Sequence, residues 1–213
     1  MAEASPSAAM RIRQHVNPLK ANFFQIAVEP LELPAGIPVE VELGSAEAHF
    51  LMTRAAEDAA RFYVGVEIRR DHVALANATC ERQGLKQVRS VFANMSVDLP
   101  RLFPAGRVNR FFLNFPDPWW KARQHKRRVM SPELVAEISG LLVEGGEIYV
   151  ATDVFDIALD AMAVLEYDSS RRFANLREPW TFLRESPFAA RSRRERQCET
   201  AGIRIWRLGY RRI

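Results

Sequence analysis

The chain has 213 residues, 48% of them hydrophobic and 26% charged, which is the balance of a globular protein built as one domain with modest additions. Its net charge is +4, yet nine arginines and only three glutamates lie between Arg184 and Arg212, which predicts a polyanionic partner. Two cysteines exclude a disulfide framework, and no apolar run approaches a membrane span or a signal-peptide core, so we expect a cytoplasmic protein without a metal.

Prolines interrupt the start of the chain, so we expect residues 1–35 to form a flexible basic arm ahead of a single domain at 36–213. From there on, short apolar runs alternate with helical patterns. The predicted strands are 39–43, 61–68, 88–94, 108–115, 146–153 and 203–212. The predicted helices are 48–58, 71–84, 132–142 and 154–165, the third with Ser131 as its N-cap.

This alternation predicts an α/β fold with a doubly wound, mostly parallel sheet, because strands joined through helices pair in parallel with right-handed crossovers. The strands are mostly apolar along their whole length, as a sheet covered on both faces requires. In such folds ligands bind outside the carboxyl ends of the strands. We therefore expect the functional residues at those ends.

The first two predicted strands each end on an acid. Glu42 is followed by Gly44 and small residues in "ELGSAEA", the layout of a nucleotide-binding turn before a helix. Glu67 ends the second strand, where a carboxylate can accept both hydroxyls of a ribose. Taken alone, Glu42 is also consistent with a helix-capping acid and Glu67 with a surface ion pair.

The next three strand ends are polar as well. Asn94 is able to hydrogen-bond an adenine edge, and Asp117 and Asp153 follow the fourth and fifth strands. Asp153 alone is also explained as a helix N-cap. Polar residues at five successive strand ends favour a binding site over five separate structural explanations.

The segment "NFPDPWWKARQHKRR" at 114–128 places Asp117 beside Trp119 and Trp120 at the start of a basic strip. Five cations at 121–128 cannot be buried unpaired, so the strip is expected at the surface, where it would hold phosphates. The two tryptophans suit base stacking, although a satellite core patch is the other interpretation.

This segment, followed by "GGEIYVATD" at 145–153, resembles the bacterial tRNA (guanine-N7-)-methyltransferase family, as does "RIRQHVNPLK" at 11–20. The resemblance extends in order and spacing over nearly the whole chain. It implies a Rossmann-like fold. It also implies an enzyme that transfers a methyl group from S-adenosylmethionine to N7 of guanine 46 in the variable loop of tRNA. It also implies no metal and no membrane, and we expect a monomer or weak homodimer.

The resemblance assigns roles by position. The cofactor-binding residues that it implies are Glu42, Gly44, Glu67, Asn94 and Asp117. The substrate-binding residues that it implies are Lys121, Asp153, Ser192, Arg193, Arg194 and Glu195. Asp117 is also the expected catalytic residue, because a carboxylate accepts from N1–H and the N2 amino group of guanine together, with Asp153 as the alternative for holding the base.

The chain departs from the family where Ala46 and Ala48 replace common glycines, which raises the question of weaker cofactor binding. A second hypothesis is therefore a non-catalytic RNA-binding paralogue that keeps the basic regions and has lost cofactor affinity. A dinucleotide-dependent dehydrogenase is disfavoured, because the chain shows neither the fuller glycine fingerprint nor a catalytic histidine or Lys/Tyr pair at the site.

Overall fold

The computed structural model describes residues 16–119, 129–168 and 170–213. Its centre is a seven-stranded sheet with the spatial order β3-β2-β1-β4-β5-β7-β6. The strands are β1 Val39–Leu43, β2 Phe62–Glu67, β3 Val88–Phe92, β4 Val108–Asn114, β5 Leu142–Thr152, β6 Phe173–Asn175 and β7 Trp206–Arg212. The first five pair in parallel, and β7 runs antiparallel between β5 and β6. The predicted doubly wound, mostly parallel α/β fold is confirmed.

Helices cover both faces of this sheet. They are α1 Ala21–Phe24, α2 His49–Glu57, α3 Arg70–Gln83, α4 Leu99–Leu102, α5 Pro132–Leu141, α6 Phe155–Glu166 and α7 Arg193–Thr200. Apolar side chains of α4, α5 and α6 pack on one face, and those of α2 and α3 pack on the other. Strand β1 is buried at all five positions, as a strand covered on both faces must be.

Local sequence explains the helix that leads into β5. Ser131 accepts a hydrogen bond from the Leu134 amide at 3.2 Å, and Pro132 occupies the first helical position, where no amide hydrogen is needed. The predicted N-cap is thus confirmed. Strand β5 begins at Leu142 rather than at residue 146, because Leu142 pairs with Val108 across a bulge before Arg110.

Part of the predicted N-terminal arm lies against the domain. The side chains of Ile26 and Leu31 are buried, and the Leu31 amide donates to the Leu102 carbonyl at 2.9 Å. Residues 1–15 lie outside the described residues, and the boundary at residue 35 stays a prediction. In the described part of the chain, both cysteines are buried free thiols, and no helix is long and apolar enough to cross a membrane. The described residues also contain no group of three or more His, Cys, Asp or Glu side chains that could hold a metal ion.

Candidate active site

The five predicted polar residues lie at one edge of the sheet. Strands β1 to β5 are parallel, so their carboxyl ends share that edge, and Glu42 and Glu67 lie within the last two positions of their strands. The other three residues, Asn94, Asp117 and Asp153, follow β3, β4 and β5 within one to three positions. The predicted convergence at the carboxyl ends is confirmed.

The turn after β1 follows a left-handed path. Gly44, Ala46 and Ala48 have φ angles of 76°, 48° and 56°, a region in which a Cβ is disfavoured. The Gly44 amide donates to the Val66 carbonyl at 2.8 Å, which holds the turn against β2. A Cβ built on Gly65 would lie 2.4 Å from the Ser45 Oγ, so β2 needs a glycine where the turn crosses it.

Glu42 is a buried carboxyl group with one oxygen that has no hydrogen-bond partner. Its side chain is 4% exposed, Oε1 accepts from Asn114 Nδ2 at 2.9 Å, and Oε2 has no hydrogen-bond partner. Burial raises the pKa of Glu42 to about 8, and the charge of Glu67 adds to this, against the hydrogen bond from Asn114. A buried polar atom without a partner is costly unless a ligand supplies the missing donor.

Asn114 lies beside Glu42 in the candidate site and was not predicted. It ends β4, and it is the polar residue in the apolar run "FFLNF" that was available as a signal. Its amide orients Glu42, while its own Oδ1 is buried without a partner beside it. Two neighbouring acceptors are therefore available to one donor-bearing ligand.

Glu67 is held rigidly at the end of β2. Its Oε2 accepts from the Ala46 amide at 2.8 Å, and its Oε1 accepts from the Ile68 amide at 3.0 Å. The Arg69 side chain, also not predicted, closes on Glu67 with its Nε 2.9 Å from Oε1. Burial lowers the pKa of Arg69, but the contacts with Glu67 and the charge of Asp117 raise it by more, so the pKa lies above its usual value.

Asn94 joins the site to the N-terminal segment. Its Oδ1 accepts from the Ser96 amide at 3.0 Å, and its Nδ2 donates to the Pro18 carbonyl at 3.1 Å. The residue is 1% exposed, so both groups are fixed. Because an amide oxygen has two lone pairs, the Asn94 Oδ1 can accept one more hydrogen bond, for example from an adenine amino group.

Asp117 is exposed in the loop after β4. This loop is bounded by Phe115 and Trp119, with φ angles of 51° and 45°, and Asp117 lines a shallow hollow together with Met130 and Asp160. Trp119 is only 9% exposed, so its ring is not the open stacking surface expected from the sequence. Trp120, Lys121 and the basic strip up to Arg128 lie outside the described residues.

Asp153 contacts the start of α7, which brings two predicted substrate groups together. The Arg194 guanidinium donates to Asp153 Oδ2. Asp153 is not the N-cap of α6, since that position is Val154 and has no side-chain cap. The helix-cap explanation of Asp153 is therefore wrong.

The other residues at the start of α7 divide between structure and surface. Ser192 Oγ accepts from the Glu195 amide at 3.1 Å as the N-cap of α7. Glu195 is buried and accepts from Arg207 Nη2 at 2.8 Å, which ties α7 to β7. Arg193 is exposed. Ser192 and Glu195 thus fix the position from which Arg193 and Arg194 are presented.

The fold is similar to that of known methyltransferases. The 16S rRNA methyltransferase KamB superposes with a TM-score of 0.60 at 12% identity, covering 82% of this chain and 87% of that one. Geranyl diphosphate C-methyltransferase from Streptomyces coelicolor A3(2) gives a TM-score of 0.54 at 14% identity, covering 84% and 76%. The class is therefore the Rossmann-like fold of S-adenosylmethionine-dependent methyltransferases.

Sequence comparison narrows this class to a family. The Methyltransf_4 model, which describes methyltransferases, matches residues 37–208. A tRNA (guanine-N(7)-)-methyltransferase of Synechococcus sp. (strain JA-3-3Ab) is 36% identical over 205 residues, 92% of this chain and 84% of the relative. The enzyme of the same name from Thermosynechococcus vestitus is 34% identical over 208 residues, 95% of each chain. The chain belongs to the tRNA (guanine-N7-)-methyltransferase family.

Proposed function

We propose that the protein transfers a methyl group from S-adenosylmethionine to N7 of a guanine in tRNA, namely guanine 46 of the variable loop. The observation that carries the proposal is the edge of the sheet where Glu42 and Glu67 meet Asp117 and Asp153, in a chain of this family. Two buried carboxylates suit the cofactor, and the two outer aspartates suit a base with several donors.

The inner residues fit the cofactor. Glu42 Oε2 is a buried acceptor that lacks a donor, which the cofactor's ammonium or hydroxyl groups would provide. Glu67 is oriented by backbone amides for the ribose hydroxyls, provided that Arg69 moves aside. When bound, S-adenosylmethionine supplies the electrophilic methyl group. Asn94 and Gly44 complete this set. The Asn94 Oδ1 would accept from the adenine amino group, and Gly44 would let the backbone of the turn approach the cofactor, because it has no side chain.

The outer residues fit guanine. N7 of a neutral guanine carries a lone pair and no proton, so the enzyme needs alignment and exclusion of water rather than a strong base. Asp117 would accept from N1–H and the N2 amino group, a pair of donors that adenine does not offer. Asp153 is the alternative, although its Oδ2 already accepts from Arg194. Lys121 and Arg193 would contact phosphates.

The rival hypothesis of a binding protein without cofactor is not favoured. Ala46 and Ala48 take up the left-handed conformation that glycines would have adopted at these positions. The Ala46 amide reaches Glu67, so the two alanines have not disordered the turn. The same proposal includes tRNA as the partner, a cytoplasmic location and a monomer or weak homodimer.

The test is to map the methylated base. An unmodified tRNA transcript is incubated with the protein and methyl-labelled S-adenosylmethionine, and a transcript with adenine in place of guanine 46 is the control. We expect one N7-methylguanosine in the first transcript and none in the second. Label at another guanine would correct the position, and cofactor binding without label in RNA would refute the proposed substrate.

A further inference from the structure

A cluster of aromatic rings lies at the surface outside the residues assigned above. The rings of Phe155 and Phe182 pack against Trp206 with centroid distances of 4.5 and 5.0 Å. The guanidinium carbon of Arg204 lies 3.9 Å from the centroid of Trp206. We call these four residues the aromatic platform. Phe155 is 44% exposed and Phe182 and Trp206 are half-buried, so the cluster presents a contiguous aromatic surface rather than a single exposed ring.

The platform lies at the edge of the sheet that carries the site. Trp206 begins β7 and pairs with Thr152, the last residue of β5, which directly precedes Asp153. Phe155 begins α6 two positions after Asp153. A molecule held at Asp153 would therefore have the platform as its neighbour.

Two arginines, one in the platform and one at the start of α7, have no carboxylate partner in the described part of the chain. They are Arg204 and Arg193, and both are exposed. A guanidinium held against a ring keeps its N–H donors available for phosphate oxygens. This charge favours a polyanion as the occupant, and it disfavours a second copy of the chain, which would bring the same arginines together.

We propose that the aromatic platform binds an unpaired nucleobase of the tRNA next to the guanine that is methylated. The base stacks on Phe155, and Arg204 and Arg193 contact the flanking phosphates. Extruding a guanine unstacks its neighbours, and aromatic rings beside arginines are the usual place for such bases. This inference rests on the proposed function, because it takes tRNA as the ligand.

The experiment compares exposed rings at two places. Phe155→Ala and Phe155→Leu are expected to weaken tRNA binding about five- to hundredfold, the range of a lost base–aromatic stack, whereas Phe155→Trp keeps the affinity. The matched control is Tyr167→Ala, which removes a 77% exposed ring that packs on Trp180 at the other end of α6 and is expected to bind normally. Arg204→Ala should reduce the slope of tRNA affinity against salt concentration by the contribution of about one phosphate contact.

Unchanged cofactor affinity and melting temperature in Phe155→Ala establish that the variant is folded. Equal tRNA affinities of Phe155→Ala and Tyr167→Ala would overturn the proposal. A wild-type dimer that Phe155→Ala dissociates, with tRNA affinity intact, would also overturn it and assign the surface to a second copy. Failure of the proposed function looks different: the wild type would bind tRNA without methylating it, and the effect of Phe155→Ala on binding would persist.

Discussion

Glu40 and Glu42 are both buried on the same face of β1, yet their surroundings differ. Glu40 forms ion pairs with Arg54 at 3.1 Å and Arg110 at 2.5 Å, and so belongs to a satisfied network. Glu42 has the neutral amide of Asn114 as its hydrogen-bond partner and one oxygen without any. Because a buried carboxyl group with an unpaired oxygen costs stability, we infer that Glu42 is kept for the proposed cofactor site.

This contrast predicts that replacing glutamate by glutamine changes the free energy of unfolding in opposite directions at Glu42 and Glu40. The pKa of Glu42 is about 8 in the folded protein and near its usual 4.5 when unfolded, so folding retains a proton between these values. The free energy of unfolding therefore falls as pH rises from 4.5 to 8. Glu42→Gln removes that dependence and is expected to be more stable than wild type at pH 8, by on the order of a few kcal/mol.

The measurement is denaturant unfolding at several pH values, together with calorimetric titration of S-adenosylmethionine. Glu42→Gln should lose cofactor affinity by about tenfold or more, the cost of a hydrogen bond to a charged group. The control Glu40→Gln should instead lose about 3–5 kcal/mol of stability, because it leaves arginines unpaired. Parallel pH curves for wild type and Glu42→Gln would contradict the pKa of Glu42.

The turn between β1 and α2 is strained, because Ala46 and Ala48 both have left-handed backbone conformations. Ala46 is partly buried at a φ of 48°, so a glycine there relieves the strain without emptying the core. Ala48 is fully buried, and a glycine there also removes a packed methyl group. The two alanines therefore differ in what a glycine would change.

Ala46→Gly is expected to raise the free energy of unfolding by about 1 kcal/mol and to leave cofactor affinity equal or better. The same change at Ala56, an exposed position in the last turn of α2, should lower it by about 0.5–1 kcal/mol. Thermal unfolding of both variants measures these changes in the free energy of unfolding. If Ala46→Gly destabilises as Ala56→Gly does, the left-handed conformation of Ala46 is wrong.

Elements with strong hydrophobic patterns could be predicted from the sequence, and weaker ones could not. Strand β1 was predicted at residues 39–43 and occupies those residues, because its alternation of apolar residues with glutamates is bounded by a proline and a glycine. Strand β6 has three residues and helix α7 is almost wholly polar, so neither contains the run of apolar residues from which the other elements were predicted. Ser192 followed by Glu195 was the available signal for α7, since that spacing is typical of a helix start.

The same limit applies to the site. Residues at strand ends were predictable, because a parallel sheet places those ends together. Arg69 and Asn114 were missed, because their roles depend on contacts with Glu67 and Glu42 that only the folded chain creates. The sequence left the burial of Trp119 open for a similar reason, since a tryptophan in a polar loop suits both a core and a surface position.

The cations that the proposal assigns to tRNA binding are clustered in the sequence, with five at 121–128 and nine arginines between Arg184 and Arg212. Changing Lys126, Arg127 and Arg128 to alanine is expected to weaken tRNA binding and to reduce its salt slope by about 0.7–0.9 per lost phosphate contact. Cofactor affinity should stay unchanged. The measurement is tRNA binding over a series of salt concentrations.

A control variant removes the same charge elsewhere. Arg82, Lys86 and Arg89 are exposed near the amino end of β3, away from the carboxyl edge that carries the site. Their replacement by alanine lowers the net charge equally, yet it should leave the salt slope near that of wild type. Equal effects of the two triple variants would mean that net charge, rather than a defined strip, drives binding.

Single-turnover methylation by Asp117→Asn tests whether the edge of the sheet both binds the cofactor and selects guanine through Asp117. The substitution keeps the shape of the side chain but places a donor against the donors of guanine. At saturating S-adenosylmethionine we expect the rate to fall by orders of magnitude while tRNA binding persists, because phosphates supply most of the affinity. Asp153→Asn, measured in parallel, should retain more of the rate. Near-normal turnover of Asp117→Asn, with the loss appearing in Asp153→Asn instead, would contradict the assignment.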